Sequence, residues 1–312
     1  MAGPSVELEN LRKLSTQLLA GQNFDYLAVA VIDFNRSKLQ SFELNNQIDR
    51  NDAKVLSPFV FDLASLTKPL MLNLCYLMHP QAFTPDLLLL LEHRGGLPSW
   101  GRLSKKNWRE VIASFPIKES VVEYSDFSAL RLMLELESKF SGSFLQHCKT
   151  GWHEGVQFWT ELTNTAHCLP TGMRGGAEIR GQVHDDNAFN ISTICSHAGL
   201  FSDVHSLGKT LININDKFNL LALIKPKLVG AQRFVLGWDR ALDLENTLAG
   251  QGCSNKTFGH LGFTGTSIWI DGSRGLGHII LSNATQNYWY DRSGLNTLRR
   301  SIGSFIWNNK WN

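Results

Sequence analysis

The chain has 312 residues, a formal charge of +2, 43% hydrophobic and 19% charged residues, a balance that excludes neither catalysis nor binding but gives no basic excess for nucleic acid. That length suits one domain, 1–312, large enough to carry a smaller subdomain. No run of about 18 apolar residues marks a membrane span, and five cysteines without a CxxC pair argue against a disulfide framework or structural zinc.

Leu11, Leu14 and Leu18 share one helical face, and Gly21 ends that helix. This N-terminal stretch lacks the apolar core of a secretory signal, so the expectation is a cytoplasmic protein, or a periplasmic one where a leader has been removed. "YLAVAVIDF" and "KLQSFEL" read as strands joined by the turn "NRSK". Helical segments follow: "SLTKPLMLNLCYLM", "SKKNWREVIASF" with Ser104 as N-cap, and "FSALRLMLELESKF". A polar, glycine-rich stretch from about Cys168 to Ser196 reads as ordered loop, and "VHSLGKTLININDKF" as a further helix.

The chain closes with strands "RFVLGWD", "TSIWID" and "GLGHIILS", the last two joined by "DGSRG", and a helix marked by Leu295, Leu298, Ile302 and Phe305. The expected fold class is α/β (α+β): an antiparallel β-sheet formed from both chain termini and flanked by helices, with an inserted, mainly helical subdomain. Roughly 1–60 and 200–312 form the sheet part, and roughly 61–199 the helical part.

Chemistry concentrates first in "SLTK". On a helix, positions i and i+3 share a face, so Lys68 can reach the hydroxyl of Ser65. A serine in a first helical turn sits in the positive field of the helix N-terminus, and a desolvated lysine can shed its proton near neutral pH. Pro69 is tolerated in a first turn, where its missing N–H has no intrahelical partner. Alone, the spacing is better read as an N-cap and a solvated lysine, because SxxK occurs by chance in many proteins. Tyr124, Ser125 and Asp126 then occupy a short loop before a helix, and His260, Leu261 and Gly262 precede a strand, where glycine lets a substrate backbone approach the edge.

The order SxxK, Tyr-Ser-Asp, His-x-Gly resembles the serine β-lactamase and penicillin-binding protein superfamily, above all its class C, D-alanyl-D-alanine carboxypeptidase and esterase branch. "LLLLEHRGGLPSW", "GQVHDDNAFNISTICSHAGLFSDVHSLGKTL" and "VLGWD" extend the resemblance from about residue 24 to the C-terminus. It implies a β-lactamase/transpeptidase-like fold with Ser65 as acylated nucleophile, Lys68 as its general base and Tyr124 as proton shuttle. Lys68 and His260 would supply the positive field that makes the phenol a base, and the backbone N–H groups of Ser65 and Phe263 the oxyanion hole.

Two departures bear on substrate. Asp126 stands where the lactamase branch often has Asn; a carboxylate cannot donate to a substrate carbonyl, and is better suited to fixing Lys68. Leu261 replaces the hydroxyl residue that helps bind a substrate carboxylate, so with Gly262 and a neutral His260 this end of the cleft is expected to bind anions weakly. The resemblance therefore implies a D-amino-acid peptidase of carboxypeptidase type or a small-ester esterase, with a β-lactamase and a non-catalytic penicillin- or muropeptide-binding protein as alternatives. The implied partner is a small molecule or a peptidoglycan-derived peptide, the protein a bacterial monomer, and no cofactor or metal is called for.

Other features have plainer readings. His184, Asp185, Asp186 and Asn187 are consecutive and would diverge on any regular backbone, which disfavours a metal site and favours bracing of the cleft edge. His197 has the same structural reading. Trp152 and Trp159 are candidate walls of an acyl pocket.

Overall fold

The computed structural model describes residues 5–46, 57–140, 142–230, 232–287 and 291–311. Ser5 opens helix α1 (Val6–Ala20) by accepting the Leu8 N–H at 3.2 Å. Strands β1 (Tyr26–Asp33) and β2 (Lys38–Asn45) form an antiparallel hairpin. A short strand β3 (Phe61–Asp62) leads into the Ser65 turn, followed by α2 (Leu74–Met78), α3 (Pro85–Leu91), α4 (Trp108–Ser114), α5 (Asp126–Glu137) and α6 (Phe144–Lys149). Strand β4 (Gln157–Phe158), the hairpin β5 (Met173–Arg174) and β6 (Ala177–Glu178), and α7 (Asp186–Ile191) come next.

Strand β7 (Leu200–Ser202) pairs with both β3 and β4, making a small sheet beside the nucleophile turn. Helices α8 (Val204–Phe218) and α9 (Leu220–Ile224) return the chain to the main sheet. Its remaining strands are β8 (Phe234–Val235), β9 (Trp238–Arg240), β10 (Thr257–Leu261), β11 (Ser267–Asp271) and β12 (Leu276–Ser282), and α10 (Ser293–Asn308) closes the chain. The seven strands run in the order β2-β1-β12-β11-β10-β9-β8, every neighbouring pair antiparallel.

Both faces of this sheet are buried. On β1, Ala28, Ala30 and Ile32 point into a core shared with α8 and the helical segments, while Leu27, Val29 and Val31 point into a second core closed by α1 and α10. The period of two explains why β1 reads as an unbroken apolar run. The sheet made from both chain ends is the one expected from the sequence.

Several local expectations differ. The run from Ser65 to Met78 is not one regular helix: a 3₁₀ turn at Ala64–Leu66 passes into a π-helical turn at Pro69–Asn73 before α2 begins. The Trp152 indole donates to the Leu70 carbonyl at 3.0 Å and the Asn73 amide to the Leu236 carbonyl at 2.9 Å, outside partners that accompany the widened turn. "RFVLGWD" is two strands, because Leu236 (φ 49°) and Gly237 (φ 87°) both adopt left-handed backbone and fold it into a two-residue hairpin. Ser104 does not cap α4; the cap position is Asn107, after a turn at 105–107. His260 lies on its own strand, β10, rather than before one.

Candidate active site

Ser65 sits at the bend between β3 and the helical segment, and Ala64 just before it has φ 47°, a left-handed conformation uncommon for any residue with a Cβ. Three hydrogen bonds stitch that bend to neighbouring chain. The Asp62 carboxylate accepts the Ala64 N–H at 2.8 Å, the Thr264 hydroxyl donates to the Asp62 carbonyl at 2.7 Å, and the Thr266 hydroxyl to the Leu63 carbonyl at 3.1 Å. The segment after His260 therefore fixes the turn that bears Ser65. Gly262 has a spatial reason: a Cβ there would lie 2.7 Å from the Leu63 carbonyl oxygen and closer still to the Thr266 hydroxyl.

Lys68 is buried one helical turn on, and its Nζ contacts three acceptors: Ser65 Oγ at 3.0 Å, the His197 carbonyl at 3.0 Å and Asp126 Oδ1 at 2.7 Å. Tyr124 completes the group: its hydroxyl interacts with both Lys68 and Ser65, and its ring lies 4.8 Å from the Lys68 ammonium. The loop that carries Tyr124 is pinned by its own neighbours. Ser125 caps α5, donates from Oγ to the Pro98 carbonyl at 2.6 Å and from its N–H to His93 Nδ1 at 3.1 Å.

The electrostatics correct two expectations. Burial alone would lower the Lys68 pKa, but the charge and hydrogen bonds of Asp126, with Tyr124, more than offset it and hold the ammonium above its ordinary value. Lys68 thus keeps its proton near neutral pH, donating to Ser65 Oγ and the His197 carbonyl while its charge is paired with Asp126. His260 supplies no positive field: burial, then the Lys68 charge, lower its pKa to about 3. Its Nδ1 lies 2.8 Å from the Leu261 carbonyl, so the proton of the neutral ring belongs on Nδ1 and Nε2 carries a lone pair. Tyr124 is a neutral phenol, its pKa raised by burial against the lowering effect of Lys68.

A cleft of about 370 Å³ adjoins the group, lined by Ser65, Tyr124, His260, Leu261, Gly262 and Phe263. Strand β10 pairs with β9 only through Phe258 and Gly259, so the β9-facing edge at His260 and Leu261 is not covered by that strand. Phe263 is 46% exposed at the rim, beneath the Arg292 guanidinium, which stands 4.6 Å from its ring centroid. Sequence reading missed the basic character of this wall. Arg292 and Arg299, with Asn296, reach the cleft from α10 and its cap, and Arg233 from before β8, where its charge is paired with Asp239 in the same lining. Burial, then the neighbouring Arg292, lower the Arg299 pKa to about 9, and it donates to the Thr266 carbonyl at 2.8 Å. The signal was present as 292, 296 and 299, spaced to share one face of the last helix.

The "VHDDN" residues do not line the cleft but tie the chain around the Ser65 turn together. The His184 N–H donates to Asp62, Asp185 caps α7 and contacts His197 Nε2 at 2.9 Å, and Asn187 binds the Leu103 N–H and the Gly101 carbonyl. Trp152 lines a separate cavity with Lys149 and His153, and neither Trp152 nor Trp159 lines the cleft beside Ser65. Among the described residues no three His, Cys, Asp or Glu side chains are grouped to hold a metal ion, and no helix is long and apolar enough to cross a membrane.

No family model matches the chain. Over 118 residues, 34% of the chain, it is 30% identical to the N-acetylmuramyl-L-alanine amidase of Bacillus subtilis (strain 168), covering 26% of that protein. Over 116 residues, 33% of the chain, it is 33% identical to a "Putative D-alanyl-D-alanine carboxypeptidase" of Salmonella enteritidis, covering 27% of it. The match thus spans about a quarter of the length of these curated relatives. Among solved structures, a class C beta lactamase superposes with TM-score 0.66 at 13% identity, over 97% of this chain and 99% of the other. A penicillin-binding protein homolog from Caulobacter crescentus gives TM-score 0.65 at 15% identity, over 98% and 99%. The protein has the fold that these structures share.

Proposed function

We propose, on that fold, that the protein is a serine acyl hydrolase forming an acyl-enzyme on Ser65, acting as a D-amino-acid peptidase of carboxypeptidase type or on small esters. The observation that carries this reading is the meeting of the Lys68 ammonium and the Tyr124 phenol on the Ser65 hydroxyl, beside an open cleft.

Ser65 Oγ attacks the substrate carbonyl carbon. Its proton passes to the Tyr124 oxygen while the phenol gives its own proton to the departing nitrogen or oxygen, so the relay needs no prior phenolate. Lys68 acts as a fixed cation that stabilises negative charge developing on the two oxygens, with Asp126 and the His197 carbonyl holding it in place. The backbone N–H groups of Ser65 and Phe263 would bind the carbonyl oxygen in the tetrahedral intermediate. Water then attacks the acyl-enzyme and Ser65 is released.

Substrate preference follows from the cleft wall. Leu261 offers no hydroxyl to a carboxylate, yet Arg292 and Arg299 place positive charge in the same cleft. That charge favours acyl compounds ending in a carboxylate, such as peptides with a C-terminal D-amino acid.

Incubation with a fluorophosphonate and with a penicillin, followed by mass spectrometry, should show one adduct on Ser65 that Ser65→Ala abolishes. Turnover of a nitrophenyl ester, a chromogenic cephalosporin and a D-Ala-D-Ala peptide then separates esterase, β-lactamase and peptidase. Saturable binding without turnover, unchanged by Ser65→Ala, would establish a binding protein instead.

A further inference from the structure

Asp62 lies three residues before Ser65, is 1% exposed, and takes part in no salt bridge among the described residues. Each carboxylate oxygen accepts a backbone N–H: Oδ1 from Ala64 at 2.8 Å and Oδ2 from His184 at 2.7 Å. The first closes a tight side-chain-to-backbone turn around Ala64, whose φ of 47° is a conformation that costs an L residue about 1 kcal/mol or more. The second ties the same turn to the segment that leads into α7. Such a left-handed residue persists only where its surroundings hold it, and its own N–H is bonded to Asp62.

We propose that Asp62 is a positioning residue: its ionised carboxylate holds Ala64 in the left-handed conformation and so aims the Ser65 hydroxyl at Lys68, Tyr124 and the cleft. The inference rests on the reading of Ser65 as nucleophile. Two N–H donors on two oxygens demand a group with no proton of its own. An amide turns an NH₂ towards one of them, and a protonated carboxyl turns an O–H.

Protonation is within reach. Burial raises the Asp62 pKa to about 7 against the lowering effect of its two backbone bonds. The charged neighbours are Asp185, which raises it, and Arg174, which lowers it. Nearby His184 and Cys168 are both held neutral by burial, the imidazole pKa lowered and the thiol pKa raised. The clamp therefore loosens as pH falls through about 7.

The test is a double-mutant cycle read by saturable acylation with a fluorophosphonate, which separates maximal rate from half-saturation. Asp62→Asn should lower the maximal rate about tenfold or more with half-saturation little changed. In an Ala64→Gly background, where glycine adopts positive φ unaided, the same substitution should cost only about threefold or less. Equal cost in both backgrounds, or no cost in either, overturns the proposal. If Asp62→Asn does not fold, native and Ala64→Gly proteins are compared from pH 5.5 to 8.5. The native rate should fall with acidification and the glycine variant less so; parallel profiles overturn the proposal. A native protein that takes no adduct defeats the nucleophile reading itself, whereas labelling of Asp62→Asn at the native rate defeats only the role of Asp62.

Discussion

Lys68 Nζ lies 2.7 Å from Asp126 Oδ1, with the two side chains 3% and 17% exposed. The contact converts a lysine that burial alone would neutralise into one that stays charged. A cation beside Ser65 is therefore a standing feature of the site. Replacing Asp126 with Asn removes the largest influence opposing burial and leaves only that of Tyr124, so the Lys68 pKa falls. With Lys68 acting as a cation, ester hydrolysis by Asp126→Asn should decline by about tenfold between pH 7 and 10, while the native enzyme shows no such loss from Lys68. Activity of the variant that climbs over that range would instead make Lys68 a free-amine base.

The basic wall gives a second prediction. Arg292 reaches the cleft from the cap position of α10, its guanidinium over the Phe263 ring. Arg292→Ala should raise KM about tenfold for substrates carrying a carboxylate, through loss of a charge-assisted contact. The KM for neutral nitrophenyl esters should change less than twofold. Steady-state kinetics on a matched acid and methyl ester decides it, and equal effects on both would remove Arg292 from anion recognition.

These expectations show what the sequence could and could not convey. Ser65, Lys68, Tyr124, Asp126 and His260 are named by short motifs, because each motif is a local chain geometry. The left-handed Ala64 is not visible that way, since alanine carries no mark of positive φ and the hydrogen bonds that hold it come from Asp62, Thr264 and Thr266. The protonation of Lys68 and His260 was equally hidden. Each depends on burial and on a partner 58 or more residues away in the chain, Asp126 for Lys68 and Lys68 for His260. Strand β10 was overlooked because "TFGHL" is short and interrupted by Gly259, where a Cβ would collide with the β11 backbone.

The buried contact between His197 Nε2 and Asp185 Oδ1, 2.9 Å long, predicts a pH dependence of stability. Burial opposes the charged forms, but Cys195 and Asp185 raise the His197 pKa well above its ordinary value, and His197 with the Ala188 N–H lowers that of Asp185. A raised histidine contributes stability below its unfolded pKa, about 6.5, and loses it as pH climbs through the folded value. A lowered aspartate contributes above about 4 and loses it on acidification through the folded value. Both contributions overlap between about pH 4 and 6.5. Asp185→Asn keeps the helix cap but leaves a buried imidazole without its carboxylate, so its melting temperature should drop from pH 8 to pH 5 where the native protein holds. The difference at pH 5 should be about 1 to 3 kcal/mol, the cost of leaving a buried donor without its acceptor, and melting curves that stay parallel at the two pH values would show that the pair is not ionised.

Gly262 provides the most demanding test of how the site is assembled. It is not a residue of positive φ, so glycine is required there by space alone. A Cβ would lie 2.7 Å from the Leu63 carbonyl oxygen and also collide with the Thr266 hydroxyl that bonds the same carbonyl. The hydroxyl can rotate away, but the carbonyl belongs to the turn that carries Ser65. Gly262→Ala should therefore push β10 off that turn and lower acylation about 100-fold, since displacement of a reacting group by about 1 Å costs that much. Adding Thr266→Ala relieves the side-chain collision and leaves the backbone one, so the double variant should regain stability in thermal melts without regaining acylation. Full recovery of acylation would show that the hydroxyl, and not the approach of β10 to the Ser65 turn, sets the requirement for glycine.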